Sequence, residues 1–207
     1  MMEDNTDAAV GSHALPDINT RIAQRVLSLR TQQGLSLDAL SSRTGVSRSM
    51  LSLIERGESS PTAVILEKVA TGLGLPLAAL FDIAPSAGGP VSRRADRTAW
   101  RDPQSGYIRC NISPPEVASA IQIVEVTLPA GAHVAYETGA RDVNIHQQIW
   151  LQRGRIEVSV GNVTYKLSQD DCLAMQLNEP TAFRNRTRQS ARYIVVIATD
   201  HSRAQRK

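Results

Sequence analysis

Cysteine is scarce in this sequence, and the two cysteines present lie far apart. Cys110 and Cys172 have no CxxC spacing around them and no accompanying pair of cysteines or histidines. A structural zinc site needs four such ligands at short spacings, so the pattern argues against one. In a reducing compartment two isolated cysteines are ordinary core or strand residues, and nothing in the sequence supports a redox switch.

Long apolar runs are also missing. No segment approaches the roughly 18–20 apolar residues that span a bilayer, so we expect no transmembrane helix. Residues 1–17 are acidic and polar, and they lack the basic and apolar regions of a secretory signal. We therefore expect a cytoplasmic protein with no membrane partner. The same small, aperiodic composition predicts that residues 1–17 form a disordered arm.

Excess charge is small as well. The chain has 23 Lys and Arg against 20 Asp and Glu, a formal net charge of +3. Such a value is weak evidence for a nucleic-acid partner. The distribution says more, because residues 1–17 contain no Lys or Arg while six arginines lie between Arg21 and Arg56. The charge pattern modestly favours an anionic partner for the first half.

A change of composition divides the 207 residues into two parts, which is enough chain for two small domains. Residues 18–83 predict a cluster of short helices. Residues 84–98 combine Pro, Gly, Ser and Arg, a composition typical of a linker. Residues 99–200 contain strand-like runs separated by turn signals. Residues 201–207 are expected to form a basic tail.

Five short helices are expected in the first part. The first helix has an apolar stripe at spacings of four and three residues and ends before Gly34, which can take a positive φ. Small polar residues that suit N-caps precede the next three helices, and a proline suits the first turn of the fifth. These residues are Ser36, Ser47, Thr62 and Pro76.

Residues 35–62 carry the pattern of a helix-turn-helix, in which two helices cross steeply over a very short turn. The turn needs a conformationally permissive residue, and Gly45 supplies it. Ser41 is small where the helices approach, while Val46 and Leu51 fill the crevice between them. We expect this unit, at about residues 36–57, to place its second helix in the major groove of DNA.

The exposed N-terminal half of that helix is expected to read bases. Arg48 can make a paired hydrogen bond to guanine, whereas Ser49 and Ser52 permit close approach but discriminate weakly. Serines and free N–H groups at helix starts suit phosphate oxygens, as do nearby arginines. The predicted phosphate contacts are Ser36, Ser47, Arg30 and Arg56.

This stretch resembles the Xre/Cro-type helix-turn-helix family over about residues 20–81. The resemblance implies an all-α, five-helix bundle that binds double-stranded DNA through its third helix, usually as a repressor. One departure is Leu37, where many members carry a Gln that contacts the DNA backbone, so one phosphate contact is lost. The matching segments are Gly34 to Ser36, Leu40, Gly45 to Ser47, Leu51 and Ser52, Ile54 to Gly57, and Ser60 to Thr62.

The second part is expected to be all β. Its apolar runs alternate or are rich in β-branched residues, and Gly161 with Asn162 is a short hairpin signal. Many short strands with frequent turns imply a sandwich or a small barrel. The predicted strands are residues 121–128, 145–151, 155–160, 163–167, 172–177, 181–185 and 192–199.

The order of turns and strands resembles the cupin family over about residues 106–199. The resemblance rests on Leu-Pro-Ala-Gly at 128–131, on Trp150 to Gly154, on Asp170 with Asp171, and on Asn185. It implies a β-barrel that senses a small-molecule effector and forms a homodimer. The third helices of the two copies would then face the two half-sites of a pseudo-palindromic operator, and these half-sites would lie about 34 Å apart.

Cupins often bind iron or manganese through an HxH pair, a Glu and a later His. Counting from the turns, the Glu position falls on Gln147, the HxH pair on residues 140–143 without a His, and the later His on Thr181. His133 and His146 could substitute only in a shifted register. We therefore expect no metal, no cofactor and no enzyme activity. The alternative is a cupin-type metal-dependent oxygenase or epimerase that retains a helical domain.

What remains is a pocket without a metal, mostly apolar with a few polar groups. Arg141 at its mouth could pair with an acidic ligand, and Gln147 and Thr181 would point inside. The other predicted lining residues are His133, Tyr136, Ile149 and Phe183. A third interpretation is a filled barrel that only dimerises the DNA-binding part. Trp150 and Ile145 fit either an interface or the core.

Overall fold

The computed structural model describes residues 17–81, 89–115, 117, 119–137 and 144–200. Predictions for residues 1–16, 84–88 and 201–207, and for Arg141, lie outside the described residues. The described residues of the helical part form four α-helices and a 3₁₀ helix. The α-helices are α1 (Ile18–Gln32), α2 (Leu37–Thr44), α3 (Arg48–Glu55) and α4 (Ala63–Gly72). None of the described helices combines the length and the apolar character needed to cross a bilayer.

The helix starts follow from their caps. The hydroxyl of Ser36 accepts from the Ala39 N–H at 3.0 Å, and that of Thr62 accepts from the Ile65 N–H at 3.4 Å. Each hydroxyl satisfies an N–H group that has no partner within its own helix. The capping roles predicted for these residues are therefore confirmed.

Two glycines set how the helices meet. Gly45 ends α2 with φ 67°, a left-handed conformation that a residue with a Cβ adopts only at a cost. Gly72, near the end of α4, lies directly against the methyl group of Thr44 in α2, and a Cβ there would overlap that methyl. The sequence analysis assigned the close approach of α2 and α3 to Ser41, which stays a prediction, and it did not foresee the approach of α4 to α2 at Gly72.

The prediction of five α-helices is wrong in its last member. Leu77–Phe81 forms a 3₁₀ helix in which the Ala79 N–H donates to the Pro76 carbonyl at 2.9 Å. All five residues are buried. 3₁₀ helices occur in short pieces, often as connectors, which fits a five-residue segment at the end of the helical part.

The described residues of the second part form ten strands in two antiparallel sheets. One sheet has the strand order β1-β2-β3-β10-β5-β8 and the other β4-β9-β6-β7. The strands are β1 (Ala99–Arg101), β2 (Ile108–Asn111), β3 (Ile121–Leu128), β4 (His133–Tyr136), β5 (Asn144–Arg153), β6 (Arg155–Val160), β7 (Val163–Ser168), β8 (Cys172–Gln176), β9 (Thr181–Arg184) and β10 (Ala191–Asp200).

All seven predicted strands are present, and Val160 pairs with Val163 across the predicted hairpin turn. The prediction of a closed barrel is wrong, because the described strands form two separate sheets. The inner faces of these sheets share one apolar core. Phe183 of one sheet stacks on Tyr193 of the other with ring centroids 5.8 Å apart. Side-chain packing between the faces therefore holds the sheets together without continuous hydrogen bonding around a barrel.

The helical and β parts are joined through buried contacts. The carboxylate of Asp102 accepts from the Ala63 N–H at the start of α4 at 2.8 Å, where the helix dipole favours a negative charge. Asn111 donates to the Ala78 carbonyl at 3.2 Å, and the rings of Phe81 and Trp100 lie 5.4 Å apart. These contacts make the two cores continuous.

Candidate DNA-recognition helix and interdomain cavity

Helix α3 has one buried and one open side. Leu51 and Ile54 are buried, while Arg48 and Ser49 are exposed and Ser52 is half-buried. The open side is formed by the N-terminal half of the helix, the end that reaches base edges in helix-turn-helix proteins. The structure thus places together the three residues predicted to read bases.

Arg48 is the long polar side chain on this face. Its side chain is 67% exposed, and its Nε lies 3.4 Å from Oδ1 of Asp38, which is itself 76% exposed. An exposed ion pair of this kind contributes little and dissociates readily in water. Arg48 is therefore available to a base without losing a strong contact.

The capping serines surround the same helix start. The hydroxyl of Ser47 accepts from the Met50 N–H at 3.2 Å and lies 3.1 Å from the hydroxyl of Ser49. One N–H of the first turn is thus satisfied by the cap itself. Ser36 caps α2 in the same way, so both helix starts combine a hydroxyl with a partial positive charge.

Arg30 has a partner that the sequence analysis did not foresee. Its Nε and Nη2 donate to the two oxygens of Glu55 at 2.5 and 2.8 Å, and its Nη1 donates to the Leu35 carbonyl at 2.6 Å. The hydrogen bonds with Glu55 raise the pKa of Arg30. This geometry fits a structural ion pair that joins α1 to the end of α3 better than a contact with DNA. The predicted phosphate contact of Arg30 stays a prediction.

Arg56 is also engaged, but at the surface. It makes a paired hydrogen bond to Glu58 at 2.8 and 2.7 Å, and its Nη1 donates to Ser52. The Arg56 guanidinium lowers the pKa of Glu58 through these hydrogen bonds. Its predicted phosphate contact requires the exchange of Glu58 for a phosphate.

A second candidate site is a cavity of about 50 Å³ between the two parts. Four of the predicted lining residues meet there, and α4 and the 3₁₀ helix contribute two others. The predicted residues are Tyr136, Gln147, Thr181 and Phe183; the contributions from the helical part are Glu67 and Leu77. The cavity is far smaller than the about 300–1,000 Å³ usual for ligand pockets.

Two other predicted pocket residues lie elsewhere. His133 is exposed on β4 because its side chain takes the outer register position, and Ile149 is packed completely in the core. Sequence reasoning also missed Tyr107 and Arg109, which line the cavity. Both lie at or beside β2, a four-residue strand whose sequence, IRCN, has no clear alternation.

Arg109 is the most unusual group in the cavity. It is only 7% exposed, and its Nε and Nη2 have no hydrogen-bond partner among the described residues. Its guanidinium lies 5.4 Å from the centre of the Phe81 ring. Thr181, also buried, has a hydroxyl oxygen that lacks a described partner. Buried polar groups without partners are costly, so such a cluster indicates a functional site.

The hydroxyl groups of the cavity stay neutral. Tyr136 donates to the oxygen of Tyr107 at 3.3 Å. Burial raises the pKa of both tyrosines and of Tyr193, which also lines the cavity. These tyrosines therefore contribute hydroxyl groups and no negative charge to the cavity near neutral pH.

A metal ion does not fit these residues. The ligand positions implied by the cupin resemblance hold Gln147 and Thr181, and the implied HxH positions at 140–143 lie outside the described residues. His133 and His146 are exposed. Within the described ranges, no three His, Cys, Asp or Glu residues lie close enough to hold a metal. The buried guanidinium of Arg109 would also repel a divalent cation.

The outer face of the six-stranded sheet carries apolar side chains among polar ones. Trp150 is 47% exposed and pairs across the strands with Ile194, whose partner on its other side is Glu125. Val196 lies between Ile123 and Gln148. Paired residues in an antiparallel sheet share a face. Ile145, in contrast, is buried in the core. Of the two residues left open by the sequence, Trp150 alone remains a candidate for an interface.

Known proteins similar to this chain include several regulators. The helix-turn-helix family HTH_3 matches residues 26–80. The HTH-type transcriptional regulator SutR from Escherichia coli (strain K12) is 51% identical over 59 residues, which cover 28% of this chain and 33% of SutR. The match therefore spans only a third of that relative.

Two other matches cover a larger share of the related protein. The uncharacterized HTH-type transcriptional regulator y4dJ from Sinorhizobium fredii (strain NBRC 101917 / NGR234) is 32% identical over 59 residues, covering 28% of this chain and 77% of y4dJ. The crystal structure of an HTH_3 family transcriptional regulator from Vibrio cholerae is 27% identical in sequence, with a TM-score of 0.72. The match covers 87% of this chain and 96% of the Vibrio cholerae chain.

Proposed function

This chain belongs to the HTH-type transcriptional regulators, and from that premise we propose that it binds a specific operator in double-stranded DNA as a homodimer and represses transcription. The observation that carries the proposal is the two-sided character of α3. Leu51 and Ile54 anchor it in the core, while Arg48 and Ser49 are open to a partner.

Arg48 supplies most of the base discrimination. Its guanidinium exchanges the weak contact with Asp38 for the O6 and N7 atoms of a guanine. A pair of hydrogen bonds of this kind contributes about 1–3 kcal/mol of discrimination. The neighbouring Ser49 and Ser52 are short, so they allow the helix to lie close to the base edges.

Phosphate contacts come from the helix starts that flank the groove. Ser36 and Ser47 hold the first turns of α2 and α3 in place through their cap hydrogen bonds. Arg56 adds a cation at the other end of α3. Such contacts hold the protein in register on the duplex and carry no sequence information themselves.

The second copy docks on the outer face of the six-stranded sheet. Trp150 is nearly half-exposed there, and burial of a large aromatic side chain against a partner is favourable. An identical face on the other copy gives a two-fold interface. Because Arg48 is the one long base-contacting side chain on each recognition helix, the binding free energies of two half-sites must combine to give useful affinity.

The interdomain cavity couples a small-molecule effector to the helices. Glu67 and Leu77 line it from the helical part, and Tyr136 and Thr181 line it from the β part. A ligand in this position contacts both parts at once and can alter their arrangement. Its small volume limits the effector to a few atoms and also suits the alternative role of a purely structural, dimerising β domain.

The enzyme alternative receives less support. Gln147 and Thr181 occupy the metal-ligand positions implied by the cupin resemblance, and the relatives reported above are named as transcriptional regulators. We therefore propose a regulator without catalytic activity.

Replacement of Arg48 tests DNA binding directly. We expect Arg48→Ala to weaken binding to the preferred duplex about five- to 150-fold, because about 1–3 kcal/mol of base contact is lost. Fluorescence anisotropy against the preferred duplex and a scrambled duplex measures the change. Arg188→Ala, an exposed arginine in the β part, is the matched control for loss of one positive charge. Equal affinities of wild type and Arg48→Ala would refute the role of Arg48.

A further inference from the structure

We infer that the interdomain cavity binds a small carboxylate through Arg109, an inference that rests on the effector-binding role proposed above. The guanidinium of Arg109 is buried and lines the cavity. Its Nε and Nη2 are buried donors without a described acceptor, although Glu67 lines the same cavity. Buried donors without acceptors are costly, so the site is incomplete until a strong acceptor meets them.

The chemistry of the ligand follows from which nitrogen atoms lack partners. On Arg109 these are Nε and Nη2, which lie along one edge of the guanidinium. The same edge binds a carboxylate twice elsewhere in this protein: Arg30 uses Nε and Nη2 for Glu55, and Arg56 uses them for Glu58. Two parallel N–H groups match the two oxygens of a carboxylate.

The rest of the cavity adds contacts suited to a short polar molecule. The Thr181 hydroxyl lacks a described partner and can donate to a carboxylate oxygen or accept from a ligand hydroxyl or amine. Gln147 and the hydroxyl pair of Tyr107 and Tyr136 line the same space.

Size and charge restrict the ligand further. A volume of about 50 Å³ restricts the ligand to a few heavy atoms, as in formate or acetate. Glu67 also lines the cavity and is buried. Its negative charge requires that the ligand carboxylate lie at the Arg109 side.

The position of Arg109 connects the ligand to the helical part. Its guanidinium lies over the ring of Phe81, the last residue of the 3₁₀ helix that follows α4. The Phe81 ring in turn contacts Trp100 of β1. A carboxylate that reorients the guanidinium therefore acts on the contact between the two parts.

The test measures binding of acetate, with acetamide as its neutral isostere and chloride at equal ionic strength as the salt control. Thermal unfolding and calorimetry of the full chain are recorded for the wild type, Arg109→Met and Thr181→Val. Arg188→Gln serves as the charge-matched control. We expect saturable stabilisation of the wild type and Arg188→Gln by acetate, no effect of acetamide, and at least tenfold weaker acetate binding by both cavity variants.

The same proteins are then assayed for operator binding, which separates this inference from the proposed sensing role. Acetate binding that needs Arg109 but leaves operator affinity unchanged would support the carboxylate site and refute sensing. Equal effects of acetate and acetamide, independent of Arg109, would overturn the carboxylate inference and leave sensing in place. Absence of acetate binding by the wild type would overturn the inference. If Arg109→Met does not fold, Thr181→Val and Arg109→Lys still decide, because neither is expected to bind acetate with wild-type affinity.

Discussion

The tie between α1 and α3 can be tested by removing one charge of the Arg30–Glu55 pair. The side chains are 13% and 7% exposed, and two hydrogen bonds join them at 2.5 and 2.8 Å. Each hydrogen bond to a charged group contributes about 1.5–3 kcal/mol, and loss of one partner from a buried pair costs about 3–5 kcal/mol. We expect Glu55→Gln to lower the free energy of unfolding by about 3 kcal/mol.

Glu58→Gln is the matched control. The Arg56–Glu58 pair has the same paired geometry, but its side chains are 51% and 54% exposed. An exposed pair contributes about 0–1 kcal/mol, so the control should change stability only slightly. Urea unfolding followed by circular dichroism measures both. A loss in Glu55→Gln no larger than that in Glu58→Gln would refute the argument that burial makes the Arg30–Glu55 tie strong.

Three further substitutions test other parts of the structure. Gly72→Ala should lower the free energy of unfolding by about 1–3 kcal/mol, because the added methyl group overlaps the methyl group of Thr44. Adding Thr44→Ser to the same chain should recover most of this loss in a urea titration, and no recovery would contradict the assigned contact. Arg109→Met should raise the unfolding free energy of the ligand-free protein by about 1–3 kcal/mol because it removes two buried donors without described acceptors. A loss of stability in thermal unfolding would show instead that Glu67, in the same cavity, already compensates the guanidinium. Trp150→Glu should yield a monomer in sedimentation velocity, and a persistent dimer would place the interface elsewhere.

Local rules predicted most of the helical part. A serine or threonine before an apolar run satisfies the first N–H groups of a helix, so the starts at Ser36, Ser47 and Thr62 could be identified from sequence. The left-handed conformation at Gly45 followed in the same way. The long strands, β3 and β10 among them, were evident from alternation and β-branched residues.

Contacts between distant residues explain what sequence reasoning missed. Arg30 was assigned to a phosphate because it is basic and near the helix-turn-helix, but folding brings Glu55 to it from 25 positions away. Arg109 lies on a short strand without an alternation of polar and apolar residues. Its surroundings include Phe81 and Thr181, which come from other elements and are distant in sequence. The strands of three and four residues, β1, β2 and β4, are too short to show a periodicity.

Selection of bound duplexes from a random DNA library by the purified full chain shows whether the protein reads a specific operator as a dimer. A dimer that does so should enrich a pseudo-palindrome whose half-sites lie about 10 base pairs apart, or a multiple of this, each with a guanine whose preference disappears in Arg48→Ala. Recovery of duplexes with no enriched motif, or of a motif unchanged by Arg48→Ala, would contradict the proposal.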